Sequence, residues 1–385
     1  MIQFEFSTAP RIIFRSGAVK DINKIASEFG ENVFFVTGRH VVASTGVKQN
    51  LLENGFAITE FVREGEPSDQ VIKEGAKLAK GSQIDLVIAC GGGSCIDTGK
   101  AISAMMTNPG ELMDYLEVVG NGLPLVNQAA PFMAIPTTAG TGSEVTRNAV
   151  IRILNHGVKV SLRGQKIIPQ VAIVDPELSL TLPPDVTAYT GMDALTQLIE
   201  PYLALKANPL SDALSIEGIK RAKRSLLKAF QNGNDLTARE DLSLASLLSG
   251  IALANSGLGG VHGIAGVIGG MISAPHGALC ARLLPYVFEM NSEIITQNSK
   301  GSEGYEKISN IGRILLDSDK TEFMDTVTYL LELAEKLGIG SLKSYGVNEK
   351  DIPAIIEHSL TSSSMKGNPV LLSKEQIRRI LEMAL

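Results

Sequence analysis

The 385-residue sequence has no tryptophan, and aromatic residues make up only 5% of it. A surface built to stack bases or sugar rings is therefore not expected. Cysteine is scarce too. Cys90, Cys95 and Cys280 are odd in number and show no Cys-x-x-Cys spacing, which argues against a disulfide framework or a cysteine-based zinc site and for a reducing, cytoplasmic setting. Positive charge is not in excess: with 35 basic and 41 acidic residues the formal net charge is −6, so no nucleic-acid partner is expected. No apolar run is long and clean enough to cross a bilayer. The longest candidate, 247–274, is laced with Gly, Ser, Asn and His, and the opening Met1–Phe6 lacks the basic start and apolar core of a signal peptide. No membrane partner is expected either. A composition of 44% hydrophobic and 20% charged residues fits a soluble globular protein with large cores, long enough for two or three domains.

Glycine is abundant, at 38 residues, against an ordinary share of about 7%. The glycines gather at 91–99, 140–142 and 257–270. The first half alternates buried β-type runs with helical spacing. Val33–Thr37, Ile84–Ala89, Pro131–Pro136 and Val171–Val174 are nearly continuous apolar runs, as expected of parallel strands covered on both faces. A further strand is expected at 56–62, and helical spacing falls at 46–54, 69–81 and 95–107. After Asp175-Pro176 the character changes. Residues 186–205, 211–231, 239–256, 322–337 and 374–384 read as helices. Pro176, Pro183 and Pro184 mark the boundary. The fold expected is an α/β amino-terminal dinucleotide-binding domain with a parallel, Rossmann-like sheet over 1–180, followed by an all-α carboxyl-terminal domain over 181–385, with a ligand cleft between the halves.

The segment Cys90-Gly91-Gly92-Gly93-Ser94-Cys95-Ile96-Asp97-Thr98-Gly99-Lys100 follows one strand and opens one helix. Glycine lets backbone N–H groups approach a phosphate, and a helix amino terminus favours negative charge. The spacing matches neither a Walker A loop nor GxGxxG, and a tight strand-to-helix turn explains it equally. The second cluster, Pro136-Thr137-Thr138-Ala139-Gly140-Thr141-Gly142-Ser143-Glu144, also follows a strand. It suits a ligand edge, or a loop capping the next helix.

In the helical half, Asp193 and Gln197 sit four residues apart and would share a helix face. His262 and His276 on one unbroken helix would be about 21 Å apart, too far to share an ion with bonds of about 2 Å. Gly269-Gly270 and Pro275 can break that helix and fold the second histidine back. Asp193, His262 and His276 are then a plausible ligand set for Zn²⁺ or Fe²⁺, although isolated histidines more often satisfy local hydrogen bonds. His40, His156 and His358 show no partner pattern; His156 reads as a turn residue and His358 as a helix-surface residue.

Together these segments resemble the iron-containing (group III) alcohol dehydrogenase family. The similarity is carried by Gly91-Gly92-Gly93-Ser94 with Asp97 and Lys100, Pro136-Thr137-Thr138 with Gly140-Thr141-Gly142-Ser143-Glu144, Gly191-Met192-Asp193-Ala194-Leu195, His262-Gly263, Pro275-His276-Gly277 and Met365-Lys366-Gly367-Asn368-Pro369. The resemblance implies the dehydroquinate synthase-like/iron-containing alcohol dehydrogenase architecture, a homodimer, and NAD(P)-dependent interconversion of small alcohols with aldehydes or ketones. It also implies a divalent metal, Fe or Zn, held by Asp193, Gln197, His262 and His276, with Asp193, His262 and His276 carrying the catalysis. By matched position, Gly92, Gly93 and Ser94 would hold the pyrophosphate beside Asp97. Thr137, Thr138 and Ser143 would line the cofactor, and Lys159 would lie near the ribose.

Three positions depart from the family pattern. Gln197 stands where a second metal-binding histidine is usual, offering a weaker, neutral ligand. Gly266 stands where many members carry a histidine near the substrate. Gly38-Arg39 replaces an Asp that NAD-preferring relatives place after the corresponding strand, which favours NADP over NAD. Rival readings within the same architecture are a dehydroquinate-synthase-type lyase, which expects a denser Lys/Arg cluster, a hydroxyacid-oxoacid transhydrogenase and a non-catalytic homologue.

Overall fold

The computed structural model describes residues 3–42, 45–299 and 301–385. The chain divides into two compact units. One comprises Ser7–Thr138 and Gly142–Thr181; the other comprises Met1–Phe6, Ala139–Thr141 and Leu182–Leu385.

The first unit is built on a six-stranded sheet. Its strands are β1 (Arg11–Phe14), β2 (Asn32–Gly38), β3 (Ala57–Arg63), β4 (Leu86–Gly91), β5 (Phe132–Pro136) and β8 (Val171–Val174); β6 (Asn148–Ile153) and β7 (Val158–Arg163) form a separate hairpin. The order is β1-β8-β5-β4-β2-β3, and all pairings are parallel. The apolar runs are continuous because both faces are covered. Phe34, Val36, Val87, Ala89, Phe132 and Ala134 enter one core, while Val33, Phe35, Leu86, Ile88, Met133 and Ile135 enter the other. The direction of winding reverses between β2 and β4, which is where open α/β sheets place their ligand crevice, at the carboxyl ends of the strands.

The hairpin was not expected from the sequence, although its alternating burial is legible afterwards: Ala149, Ile151 and Ile153 point inward and Val150 and Arg152 outward. The expected turn at His156 joins its strands, with Gly157 at φ +62°. Strand β1 was missed as well. It is only four residues long and lies at the sheet edge beside β8.

The second unit is helical. Its long helices are Pro184–Leu203, Pro209–Gln231, Leu236–Ser256, Gly260–Met271, His276–Ser299, Glu303–Leu316, Phe323–Lys336, Ile352–Thr361 and Lys374–Ala384, packed around one large apolar core. Three begin earlier than the spacing of apolar residues suggests. Pro184 and Pro209 occupy first-turn positions, and Asp235 caps the third by accepting the Ala238 N–H. Proline is pre-set for a helix start and needs no hydrogen-bond partner there. Among the described residues no single helix is long and apolar enough to cross a membrane; the helices on either side of Gly257–Gly259 are bent by 99°.

Candidate active site

Three loops meet the carboxyl edge of adjacent strands in the sheet unit. Gly38 ends β2, the glycine loop ends β4 and Thr137 follows β5, with Thr37 opposite Cys90 and Gly91 opposite Pro136. The Thr137 N–H donates to the Gly91 carbonyl at 3.0 Å and ties two of the loops together. The helix after β4 runs from Gly93 to Thr107 and begins on Gly92 without a side-chain cap. Its first amides, at Gly93 and Ser94, therefore have no side-chain cap, and an uncapped helix start of this kind favours an anion. Gly99 lets this helix lie on the sheet: a Cβ there would come within 2.7 Å of Phe132 and 2.8 Å of Ala89.

Beneath the loops lies a buried polar network. The Lys100 ammonium donates to Ser143 Oγ at 2.9 Å, Thr146 Oγ1 at 2.8 Å and the Asn148 carbonyl at 2.8 Å. Asp97 accepts from the Ser143 hydroxyl and, at 2.9 Å, from the Val150 N–H. Asp97 and Ser143 therefore brace the loops from within. Burial pulls Lys100 down to about 8 and pushes Glu144 up to about 7; burial also raises Asp97, against the pull of Lys100. Two further cations are paired. Arg39 is exposed and meets Glu64 at 2.9 Å, and Lys159 on β7 pairs with Glu66. Arg63, not singled out from the sequence, ends β3 and donates to the Ser94 carbonyl at 3.0 Å, bracing the glycine loop. Thr138 packs beside Gly92, whose Cβ would lie 3.4 Å from its methyl group.

In the helical unit the Pro184–Leu203 helix presents Asp193 and Gln197, both buried. The helix bearing His262 ends at Met271 and the next starts at His276. Gly269 and Gly270 remain helical, contrary to the expected break there; extended Ile272 and the 272–275 linker reverse the chain instead. The two imidazoles then lie with centroids 5.4 Å apart. Their Nε2 atoms face Asp193 Oδ1 at 3.3 Å from His262 and 3.9 Å from His276. The third glycine cluster acts through close approach rather than by loosening helices. A Cβ on Gly259 would come within 3.0 Å of Asn368 and Glu200, and one on Gly263 within 3.1 Å of Met365. Gly266 faces open space. His358 is exposed on its helix, as expected; the side chain of His40 lies outside the described residues.

Two residues of this centre escaped the sequence reading. Glu200 accepts from His262 Nδ1 at 2.6 Å and from the Val261 N–H at 2.6 Å. It thereby fixes the tautomer that turns the His262 Nε2 lone pair toward Asp193. The signal was its position seven residues after Asp193, two turns along the same helix face. Cys280 lies one turn after His276, with Sγ 3.6 Å from His276 Nε2 and 3.8 Å from His262 Nε2. Without a Cys-x-x-Cys partner it carries no metal-site signature in the sequence.

This donor set fits a cation. Asp193 Oδ1 and Gln197 Oε1 are buried with no hydrogen-bond partner among the described residues. Asp193, His262, His276 and Cys280 each offer one donor atom, all within 4.8 Å of one another. Lone pairs aimed at one point repel unless a positive charge sits between them. The same side chains also shift one another's ionisation. Burial opposes charge on both Asp193 and His262, yet His262, His276 and Gln197 hold the Asp193 carboxyl below its ordinary value, while Cys280, Glu200 and Asp193 raise His262 well above its own. His276 is raised chiefly by Cys280.

Comparison with known proteins agrees with this geometry. Residues 9–176 match the family described as iron-containing alcohol dehydrogenase, and residues 187–385 match the carboxyl-terminal part of the Fe-containing alcohol dehydrogenase family. The NAD-dependent methanol dehydrogenase of Bacillus methanolicus is 33% identical over 99% of both chains. The 1,3-propanediol dehydrogenase of Citrobacter freundii is 36% identical over 87% of this chain and 85% of its own. The structure of an alcohol dehydrogenase from Oenococcus oeni superposes with a TM-score of 0.92 at 32% identity, covering 100% of both chains. The chain belongs to the iron-containing alcohol dehydrogenase family, whose members use NAD(P) and a divalent metal. It is an NAD(P)-dependent alcohol dehydrogenase.

Proposed function

We propose that the enzyme interconverts small alcohols with their aldehydes or ketones, with Asp193, His262 and His276 as the catalytic metal centre and the carboxyl edge of the sheet as the nucleotide site. The observation that carries this reading is the convergence of these three side chains on one point, with Glu200 fixing the His262 tautomer. When bound, the nicotinamide and the metal supply hydride transfer and Lewis-acid polarisation of the substrate oxygen. The chain's own residues supply position and charge. The amides of Gly92, Gly93 and Ser94 receive the pyrophosphate. Thr137, Thr138 and Ser143 line the cofactor, Asp97 holds Ser143 in place, and Lys159 lies toward the ribose. Asp193 brings negative charge to the cation, and His262 and His276 fix its location. With glycine at 266, the alcohol proton leaves to water or a ribose hydroxyl.

Gly38 removes the carboxylate that would repel a 2′-phosphate, and Arg39 supplies a cation beside it, so NADP is the proposed nucleotide. Its pairing with Glu64 holds that cation close to the end of β3. The homodimer rests on the family resemblance and the cytoplasmic setting on the scarcity and spacing of cysteine; light scattering tests the first and cell fractionation the second.

The deciding experiment measures NADPH and NADH oxidation with short aldehydes for the wild type, Asp193→Ala and His276→Ala, alongside the metal content of each protein. Both variants are expected to lose metal and turnover. Unchanged turnover in both would remove the metal role, and equal kcat/KM with the two nucleotides would remove the preference for NADP.

A further inference from the structure

The chain has Gln197 where a histidine ligand is usual, and one turn beyond His276 it offers Cys280. We infer that Cys280 supplies the missing ligand, giving an Asp193–His262–His276–Cys280 centre that prefers Zn²⁺ to Fe²⁺. This rests on the metal reading above. A tetrahedral ion with bonds of about 2.0–2.1 Å to nitrogen or oxygen and about 2.3 Å to sulfur has edges of about 3.3 Å between N/O donors and about 3.6 Å from sulfur to the others. The observed separations are 3.3 and 3.9 Å from Asp193 to the two histidines, and 3.8 and 3.6 Å from Cys280 to the same nitrogens. These four edges are already close to those of a bound ion, and all four donor atoms lie within 4.8 Å of one another.

Gln197 is placed differently. Its amide N–H donates to the Gly140 carbonyl at 3.3 Å, which ties the side chain toward that segment. Its partnerless Oε1 makes it the competing ligand. Cys90 and Cys95 belong to the sheet unit, where burial pushes both thiols up. His276 keeps 39% of its side-chain surface exposed while Asp193 keeps 4% and His262 7%. The centre is therefore open on the His276 side, where a substrate oxygen can add as a fifth ligand. Cysteine ligates as the thiolate and releases its proton to solvent. A soft sulfur donor replacing an imidazole shifts selection toward Zn²⁺.

The test strips the full-length protein with a chelator and reloads it with Co²⁺ as a spectroscopic probe. The wild type is expected to show visible d–d bands together with a near-ultraviolet thiolate-to-cobalt charge-transfer band. Cys280→Ser is expected to keep the d–d bands, lose the charge-transfer band and lower the preference for Zn²⁺ over Fe²⁺ in direct competition by roughly tenfold or more. Gln197→Ala is expected to retain the charge-transfer band. Wild-type d–d bands without charge transfer, or a charge-transfer band that survives in Cys280→Ser, would overturn the role of Cys280 and leave the metal centre standing. Failure of the wild type to bind Co²⁺, Zn²⁺ or Fe²⁺ at all would overturn the metal centre and this inference with it.

Discussion

The position that decides whether His276 can reach Asp193 is the glycine after it. A Cβ built on Gly277 would overlap the Tyr189 carbonyl, lying 2.6 Å from its carbon, and would sit 3.3 Å from Asp193 Cβ. Gly277 is not in the left-handed backbone region, so Gly277→Ala tests packing alone. Ordinary carbon contacts begin near ~3.5 Å, and the neighbour is backbone of the Pro184–Leu203 helix, which cannot rotate away. The start of the His276–Ser299 helix must therefore retreat by about 1 Å. A shift of that size carries the His276 donor off its present 3.9 Å approach to Asp193. The expected overpacking cost is about 1–3 kcal/mol, and turnover should fall by about two orders of magnitude, as for other misplacements near 1 Å. The assay combines thermal unfolding, metal affinity and kcat/KM. Gly266→Ala is the matched control, since a Cβ there meets nothing within 4 Å; it should gain up to about 1 kcal/mol from helix propensity and keep its metal. Wild-type metal affinity and turnover in Gly277→Ala would refute the claim that this close approach builds the centre.

The other predictions concern residues around the two sites. Glu200→Gln should weaken metal affinity by about 10–100-fold with little change in nucleotide binding, because the amide no longer enforces a proton on His262 Nδ1; isothermal titration with Zn²⁺ checks this, and an unchanged affinity contradicts it. Glu144, raised to about 7 by burial, contributes stability that is fully present below about 4.5 and is lost as pH rises toward about 7, because a raised acid pKa favours the neutral form in the folded state. The loss is at most about 3 kcal/mol. Asp97 is raised in the same sense; Lys100 beside them is lowered to about 8, so its contribution works in the opposite sense, stability rising with pH above about 8. Glu144→Gln should accordingly flatten the decline of Tm across that interval, and a slope identical to wild type would count against it. Gly266→His adds an imidazole into open space on the His262 helix. It should leave metal content unchanged and introduce a new ionisation into the pH profile of alcohol oxidation; an unaltered profile would show that this position does not reach the proton path.

The class of the fold was legible along the chain, and the candidate ligands stood out as residue types. The buried runs at 33–37, 131–136 and 171–174 could only be two-sided strands, and the glycine loop after β4 had the composition of an anion-binding helix start. Pro184 and Pro209 head two helices, whose beginnings apolar spacing placed two residues too late. Short elements were not legible in the same way. Four residues in β1 carry too little periodicity to stand out, and the β6–β7 hairpin alternates within segments dominated by its turn. Long-range convergence was the larger gap. Asp193, His262 and His276 were each visible as candidate ligands, but nothing local says that the chain reverses at 272–275 rather than at Gly269-Gly270. Glu200 and Cys280 became part of the centre only when two helices met closely enough for one turn of each to face the other. That meeting depends on Gly277, which lies against Tyr189, while Gly259 lets the His262 helix start against Glu200 and Asn368. Local pattern fixes which backbone forms; which side chains share a point in space is set by packing between elements far apart in the chain.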